Sequence, residues 1–285
     1  HNPRDLDDFN IGKEDPLRSQ IRIRNPLSED QSALRSTILP GLIHTLQYNL
    51  KRSLPDIRIF EIGHVFKPSD SGLPLEKNHL AGMITGKDRP LGWDMSRKDL
   101  DFFDLKGDLE EMLDRLGIRG VVFAPQNRIS FLHPGKSVWI ECGKTRFGFM
   151  GELHPGVLKR FELPDPVQCF EIDLGLCMQK ADDSVSYAAV PRFPSVDRDI
   201  ALILFDEISS NEVEEQIRSL EPELIREVRI FDLYRGQPIP AGKKSLAFTI
   251  RFQAEDRTLT DQEVNEIRDR IVAEMGRAFH ATLRE

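Results

Sequence analysis

The stretch Ser245-Leu-Ala-Phe-Thr-Ile-Arg-Phe252 alternates without a break. Leu246, Phe248, Ile250 and Phe252 share one face, and Ser245, Ala247, Thr249 and Arg251 share the other. Strand side chains point to opposite faces at each step, so this segment predicts a strand with one buried and one open side. The pattern extends in both directions. Upstream, Arg198-Asp-Ile-Ala-Leu-Ile-Leu204 sets Ile200, Leu202 and Leu204 against Asp199, Ala201 and Ile203. Ser209-x-x-Glu212 predicts a capping box, and Val213, Ile217 and Leu220 follow at helical spacing. Val228 to Arg235 reads as another strand, with Phe231 and Leu233 on one face and Asp232 and Tyr234 on the other. Gly236 to Gly242, with two prolines, is a turn region. Downstream, Thr260-x-x-Glu263 predicts a second capping box, and Val264, Ile267, Ile271, Met275 and Ala278 form an amphipathic stripe. His280 to Arg284 can supply a short last strand.

The resulting order, βαββαβ, is the ferredoxin-like split arrangement, with helices on one side of the sheet and nothing on the other. Alternation puts Asp232, Tyr234, Ser245 and Ala201 on the uncovered side. An aromatic and hydrogen-bonding groups on a bare sheet suit a single-stranded base. Arg198, Arg235, Lys243, Lys244 and Arg251 are candidate contacts to an RNA backbone, and Arg226 and Arg229 add to the charge of the same strands. The fold itself hosts many activities, small-molecule regulation among them, and Tyr234 taken alone reads as an ordinary strand aromatic. The formal net charge of −8 runs against sequence-blind nucleic-acid binding. The acids Glu212, Glu214, Glu215, Glu263, Glu266 and Asp269 concentrate on the helices, however, away from the proposed face. Selectivity, with phosphate affinity supplied elsewhere, is the expected role.

The 285 residues suit two domains, 1–185 and 186–285, with the break expected within Ala181 to Pro194. No apolar run is long enough to span a membrane, and the start is not signal-like. Cys142, Cys169 and Cys177 form no C-x-x-C pair, which argues against disulfides or zinc and suits the cytoplasm. In the first part, Gln31 to Arg52 predicts a helix interrupted at Pro40-Gly41. Ile57 to Phe66, Leu80 to Thr85 and Cys169 to Leu174 predict strands, and Phe102 to Leu116 a helix. Ser137 to Glu141 and Arg146 to Met150 predict a hairpin.

Phe231-Asp-Leu-Tyr-Arg-Gly236, Gly242-Lys-Lys-Ser-Leu-Ala-Phe248 and Arg257-Thr-Leu-Thr260, opened by Arg192-Phe-Pro194 and Arg198-Asp-Ile200, resemble a known domain. It is the anticodon-binding domain of the bacterial phenylalanyl-tRNA synthetase beta subunit. Asn25-Pro-Leu-Ser28, Leu34-Arg35, Leu39-Pro-Gly-Leu42, Arg58-Ile-Phe-Glu-Ile-Gly63 and Val65-Phe66 resemble the core of the same subunit. So do Asp101-Phe-Phe-Asp-Leu-Lys-Gly-Asp-Leu109, Leu132-His-Pro-Gly135 and Gly148-x-x-Gly-x-Leu-His-Pro155. The resemblance covers almost the whole chain. It implies an α+β protein: an antiparallel-sheet core like that of class II synthetases, then a ferredoxin-like domain. It further implies a C-terminal portion of a longer subunit, with anticodon contacts at Asp232, Tyr234, Ser245 and Ala201. Tyr234 would stack on a base, Ala201 would leave room, and Asp232 and Ser245 would hydrogen-bond base edges. The implied partners are the alpha subunit, in a heterotetramer of two alpha and two beta, and phenylalanine tRNA. The holoenzyme would join the two substrates with ATP and magnesium. A small-molecule sensor, built from a regulatory domain on a degenerate core, is the alternative.

Catalysis is not expected in this chain. Class II sites hold phosphate with arginines, one of them in a G-x-G-x-G-x-x-R signature. The corresponding stretch here, Val167-Gln-Cys-Phe-Glu-Ile-Asp-Leu-Gly175, has neither the glycine run nor the arginine. No cofactor or metal is expected in this part. His133 and His154, each in Leu-His-Pro-Gly, read as turns where Pro fixes and Gly turns the backbone. Cys142 reads as a buried small apolar residue or an inert thiol. Asp101, Asp104 and Asp108 read as acids favoured at a helix start. Gly148-x-x-Gly151 lacks a phosphate-loop ending, and Trp93 and Trp139 read as packing residues.

Overall fold

The computed structural model describes residues 2–70, 72–93, 96–164, 166–182, 184 and 190–284. The chain divides into two compact units, 1–185 and 186–285. Residues 185–189, in the stretch expected to hold the domain break, lie outside the described residues.

The first unit begins with one turn of helix, α1 (Asp5–Asp8), and then α2 (Leu39–Leu50). Pro40 sits in the first turn of α2, so the expected interruption is a start. Proline fits there because its missing N–H would have no helical partner. The strands β1 (Ile57–Lys67) and β2 (Leu75–Thr85) precede α3 (Phe102–Arg115). Then come β3 (Val121–Pro125), which the sequence reading missed, β4 (Leu132–Cys142), β5 (Thr145–Leu153), α4 (Pro155–Arg160), β6 (Val167–Asp173) and α5 (Leu174–Met178). The six strands form one antiparallel sheet in the order β1-β2-β6-β5-β4-β3. Alternate residues of β2 and β6 feed two cores. Met83 and Cys169 pack with Leu42, Ile43 and Leu46 of α2. Ile84, Phe170 and Ile172 pack with Leu105, Leu109 and Leu113 of α3. All seven residues of β6 are buried, because both faces are covered.

Local chemistry explains several polar residues of this unit. Asp101 accepts from the N–H of Phe103 and Asp104, and Asp104 accepts from Asp101 N–H, a complete capping box. Asp108 pairs with Arg58 at 2.6 Å. In both Leu-His-Pro-Gly stretches the imidazole does the turning. Nδ1 of His133 accepts from Gly135 N–H at 3.1 Å, and Nδ1 of His154 accepts from Gly156 N–H at 3.0 Å. Neither glycine has a positive φ. Cys142 is half-buried and donates to the Arg119 carbonyl at 3.3 Å. Trp139 packs edge-on to Phe149 under Arg146. Trp93, expected to pack, is 99% exposed.

His44 on α2 contacts an Asp5 carboxylate oxygen through Nε2 at 3.1 Å. This hydrogen bond raises the imidazole above its ordinary value of 6.5, against the opposing effect of burial. A raised folded-state value gives stability that is full below the unfolded value and is lost as pH rises through the folded one. Urea unfolding of the parent and His44→Gln should therefore show a larger difference at about pH 5.5 than at about pH 8.5. Equal differences would remove the linkage.

The second unit has β7 (Val196–Phe205), α6 (Ser210–Leu220), β8 (Ile225–Tyr234), β9 (Lys243–Phe252), α7 (Asp261–Phe279) and β10 (Thr282–Leu283). Its antiparallel sheet has the order β10-β7-β9-β8. Leu246, Phe248, Ile250 and Phe252 lie in a core with Val213 and Ile217 of α6 and Val264, Ile267, Ile271 and Met275 of α7. Both helices thus cover one face. Ser209 and Glu212 form the full capping box. The second expected box is only half formed. Thr260 accepts from Glu263 N–H, but the Glu263 carboxylate is taken by Arg257.

Candidate nucleic-acid interface

The register of the second sheet builds its uncovered face in rows. Asp232 lies opposite Ala247, and Ala247 opposite Ala201. In the next row Tyr234 lies opposite Ser245, and Ser245 opposite Ile203. Cross-strand partners share a face, and these alternate with the Leu246 and Phe248 rows under the helices. The four candidate contacts are therefore neighbours on the side away from both helices. Two alanines form a low floor beside the Asp232 carboxylate.

The last strand completes the site with a residue that sequence reasoning missed. Thr282 and Leu283 pair with Ile203 and Leu202, and Arg284 N–H donates to the Ala201 carbonyl at 2.8 Å. Arg284 thus extends the alanine row, opposite in charge to Asp232. Its guanidinium lies over the Tyr234 ring, 5.0 Å from the centroid, a cation–π contact. It also reaches the Ser245 hydroxyl at 3.5 Å. Ser245 is only 2% exposed, so Arg284 and Tyr234 control access to it. The Tyr234 hydroxyl donates to the Gln237 carbonyl at 2.7 Å, which fixes the ring against the β8–β9 connection. Gly236 and Gly242, at φ of 121° and 77°, begin and end that connection in conformations that favour glycine.

Two of the proposed backbone cations are not on this face. Arg198 has the parity of Ile200 and lies opposite Ile250. Its guanidinium ties the sheet to α7 through Asn265 and Asp261. Lys244 has the parity of Leu246, is 7% exposed and donates to the Asp206 carbonyl at 2.9 Å. Burial pushes its ammonium below the ordinary lysine range. Arg251 is on the uncovered face but already engaged. It meets Asp197 through two nitrogens at 2.9 and 3.0 Å and Glu227 at 3.0 Å. The fork holds the Asp197 carboxyl below its usual value. Arg235 pairs with Asp206 at 3.1 Å, and the Lys243 ammonium lies 4.7 Å from the Phe205 ring centroid.

Phe231 also departs from expectation. Ile230 lies opposite Phe248 and Asp232 opposite Ala247, so Phe231 is an extra residue in a bulge. The bulge switches parity within β8. Glu227, Arg229 and Phe231 precede the switch, Asp232 and Tyr234 follow it, and both sets face the uncovered side. Phe231 is 55% exposed, not core.

In the first unit the stretch Val167 to Gly175 carries buried polar contacts. Glu171 on β6 is buried and accepts from Thr37 Oγ1 and Ile38 N–H at the start of α2. His79 Nδ1 meets Glu171 at 2.6 Å. Burial alone would raise the neighbouring Asp173 carboxyl, yet Lys77 and the Leu176 N–H hold it below its usual value. Burial pushes the Cys177 thiol up to about 11, and the buried Cys169 thiol is raised too. Neither is a ready nucleophile. Among the described residues no group of three His, Cys, Asp or Glu is placed to hold a metal ion, and no helix is long and apolar enough to cross a membrane.

Together these features define an α+β protein with a large antiparallel-sheet unit and a ferredoxin-fold unit. Residues 191–284 match the family model for the ferredoxin-fold anticodon binding domain. Residues 1–174 match the model for the phenylalanyl tRNA synthetase beta chain CLM domain. The chain belongs to the phenylalanyl-tRNA synthetase beta-chain family. It is 39% identical over 283 residues to the phenylalanine–tRNA ligase beta subunit of Moorella thermoacetica, covering 99% of this chain and 35% of that protein. Identity to the proteins of that name in Syntrophotalea carbinolica and Geobacter metallireducens is 36% over 271 residues and 37% over 280. These cover 95% and 98% of this chain, and 34% and 35% of the relatives. The chain thus spans about a third of the length of these relatives.

Proposed function

We propose that this chain supplies the anticodon-reading module and a non-catalytic scaffold of a cytoplasmic phenylalanine–tRNA ligase. The observation that carries the reading is the pair of rows joining Asp232 to Ala201 and Tyr234 to Ser245. Tyr234 offers a ring face for an unpaired base of phenylalanine tRNA. The Asp232 carboxylate accepts from a base edge, the alanine floor admits the base, and Arg284 supplies a cation beside it. The first unit serves as a class II-like core that packs against the alpha subunit, in an assembly of two alpha and two beta. ATP and magnesium act in the alpha subunit. An anticodon stem–loop of phenylalanine tRNA should bind the assembled enzyme better than one with altered anticodon bases. Equal binding would defeat the proposal. Stabilisation of this chain by an amino acid alone would instead favour a small-molecule sensor.

The chain by itself should show no phenylalanine-dependent pyrophosphate exchange, because β6 lacks both the glycine run and the phosphate-binding arginine of a class II site. Exchange above background from the pure chain would contradict this.

A further inference from the structure

The parity switch at Phe231 opens a second concavity on the same face, of about 410 Å³. Asp197, Glu227, Arg229, Phe231, Thr249 and Arg251 line it. Two of its acids share one cation, and the charges of Arg229 and Arg251 together balance those of Asp197 and Glu227. Asp197 and Glu227 are both held by Arg251, and the Thr249 hydroxyl donates to Asp199 at 2.6 Å. Arg229, two residues before Phe231 and on the same side, pairs with no carboxylate among the described residues. The concavity therefore offers one exposed aromatic face and one available guanidinium. Phe231 and Tyr234 are three positions apart on one strand, about 10 Å at the usual rise. An aromatic beside an unpaired cation suits a nucleotide, since every base has a face to stack and every nucleotide carries a phosphate.

We propose that Phe231 and Arg229 form a second nucleotide subsite, in which Phe231 stacks on the base next to the one held by Tyr234 and Arg229 binds the intervening phosphate. This rests on the reading of the face as an RNA platform. The bulge is the device that makes it possible. A regular strand would turn either Phe231 or Tyr234 toward the helices, and the extra residue lets both meet the same RNA strand. An apolar partner protein fits less well, because arginines and carboxylates surround the single phenyl ring.

The test uses the complete beta subunit assembled with alpha and an anticodon stem–loop RNA. Phe231→Ala should weaken binding at least about fivefold, and Phe231→Tyr should restore it. Arg229→Gln should lower the slope of log affinity against log salt by about 0.7, the share of one phosphate on a single strand. Stem–loops lacking one base at a time then separate stacking from folding. The Phe231→Ala penalty should vanish at one loop position, adjacent to the position where the Tyr234→Ala penalty vanishes. If Tyr234→Ala weakens binding and Phe231→Ala does not, the second subsite is wrong and the platform stands. A Phe231→Ala penalty that persists on every abasic RNA also overturns the subsite. If neither substitution matters in a folded protein, the platform itself falls.

Discussion

Phe248→Ala should destabilise the second unit by about 3–5 kcal/mol, the usual cost of truncating a fully buried phenylalanine. Phe248 is fully buried at the middle of β9, opposite Ile200 of β7 and Ile230 of β8. It shares a core with Val213 and Ile217 from one helix and Ile271 and Met275 from the other. Its neighbours are themselves buried and packed, so most of the cavity should persist. Urea unfolding combined with hydrogen exchange on the whole chain would place the loss in residues 190–284. A change below about 1 kcal/mol would mean that the packing of the two helices on this sheet is wrong.

Tyr234→Ala should weaken binding of the phenylalanine tRNA anticodon arm by about 1–3 kcal/mol, the range for losing one base–aromatic stack. The fold should survive, because Tyr234 lies on the side away from the helices. Its hydroxyl bond to Gln237 and its contact with Arg284 are both at the surface. Asp232→Ala should act differently. It removes an edge contact, and edge contacts specify where phosphate contacts position, so discrimination among anticodon variants should relax. Unchanged discrimination in both folded variants would end the assignment of this face to RNA.

The helices and strands of the second unit were legible because each carries its own period. The 2-residue alternation of Ser245 to Phe252 and the helical stripe from Val264 to Met275 are local signals that tertiary packing reinforced. Legibility failed where a backbone irregularity intervened. The bulge at Phe231 shows in the sequence only as the adjacent apolar pair Ile230-Phe231, where the apolar parity passes from Val228 and Ile230 to Phe231 and Leu233, and reading the strand as regular passed over it. Charge was misleading in another way. Arg198 and Lys244 counted as RNA contacts by their sign, although the parity of Ile200 and Leu246 already placed them with the helices. A long cationic side chain can lie along the buried face while its end reaches Asp261 or the Asp206 carbonyl.

By itself the sequence determined the element order of the second unit, the core face of its regular strands and the parity that groups Ala201, Asp232, Tyr234 and Ser245. These follow from spacing along the chain, which any folded form must respect. Only the tertiary structure decided that Arg284 lies over Tyr234 and Ser245, that Phe231 joins the uncovered face and that Arg251 is engaged by two carboxylates. Each of these depends on which residue of a distant strand lies opposite which. That register is set by packing across the whole sheet and by single-residue slips, and no local period records it.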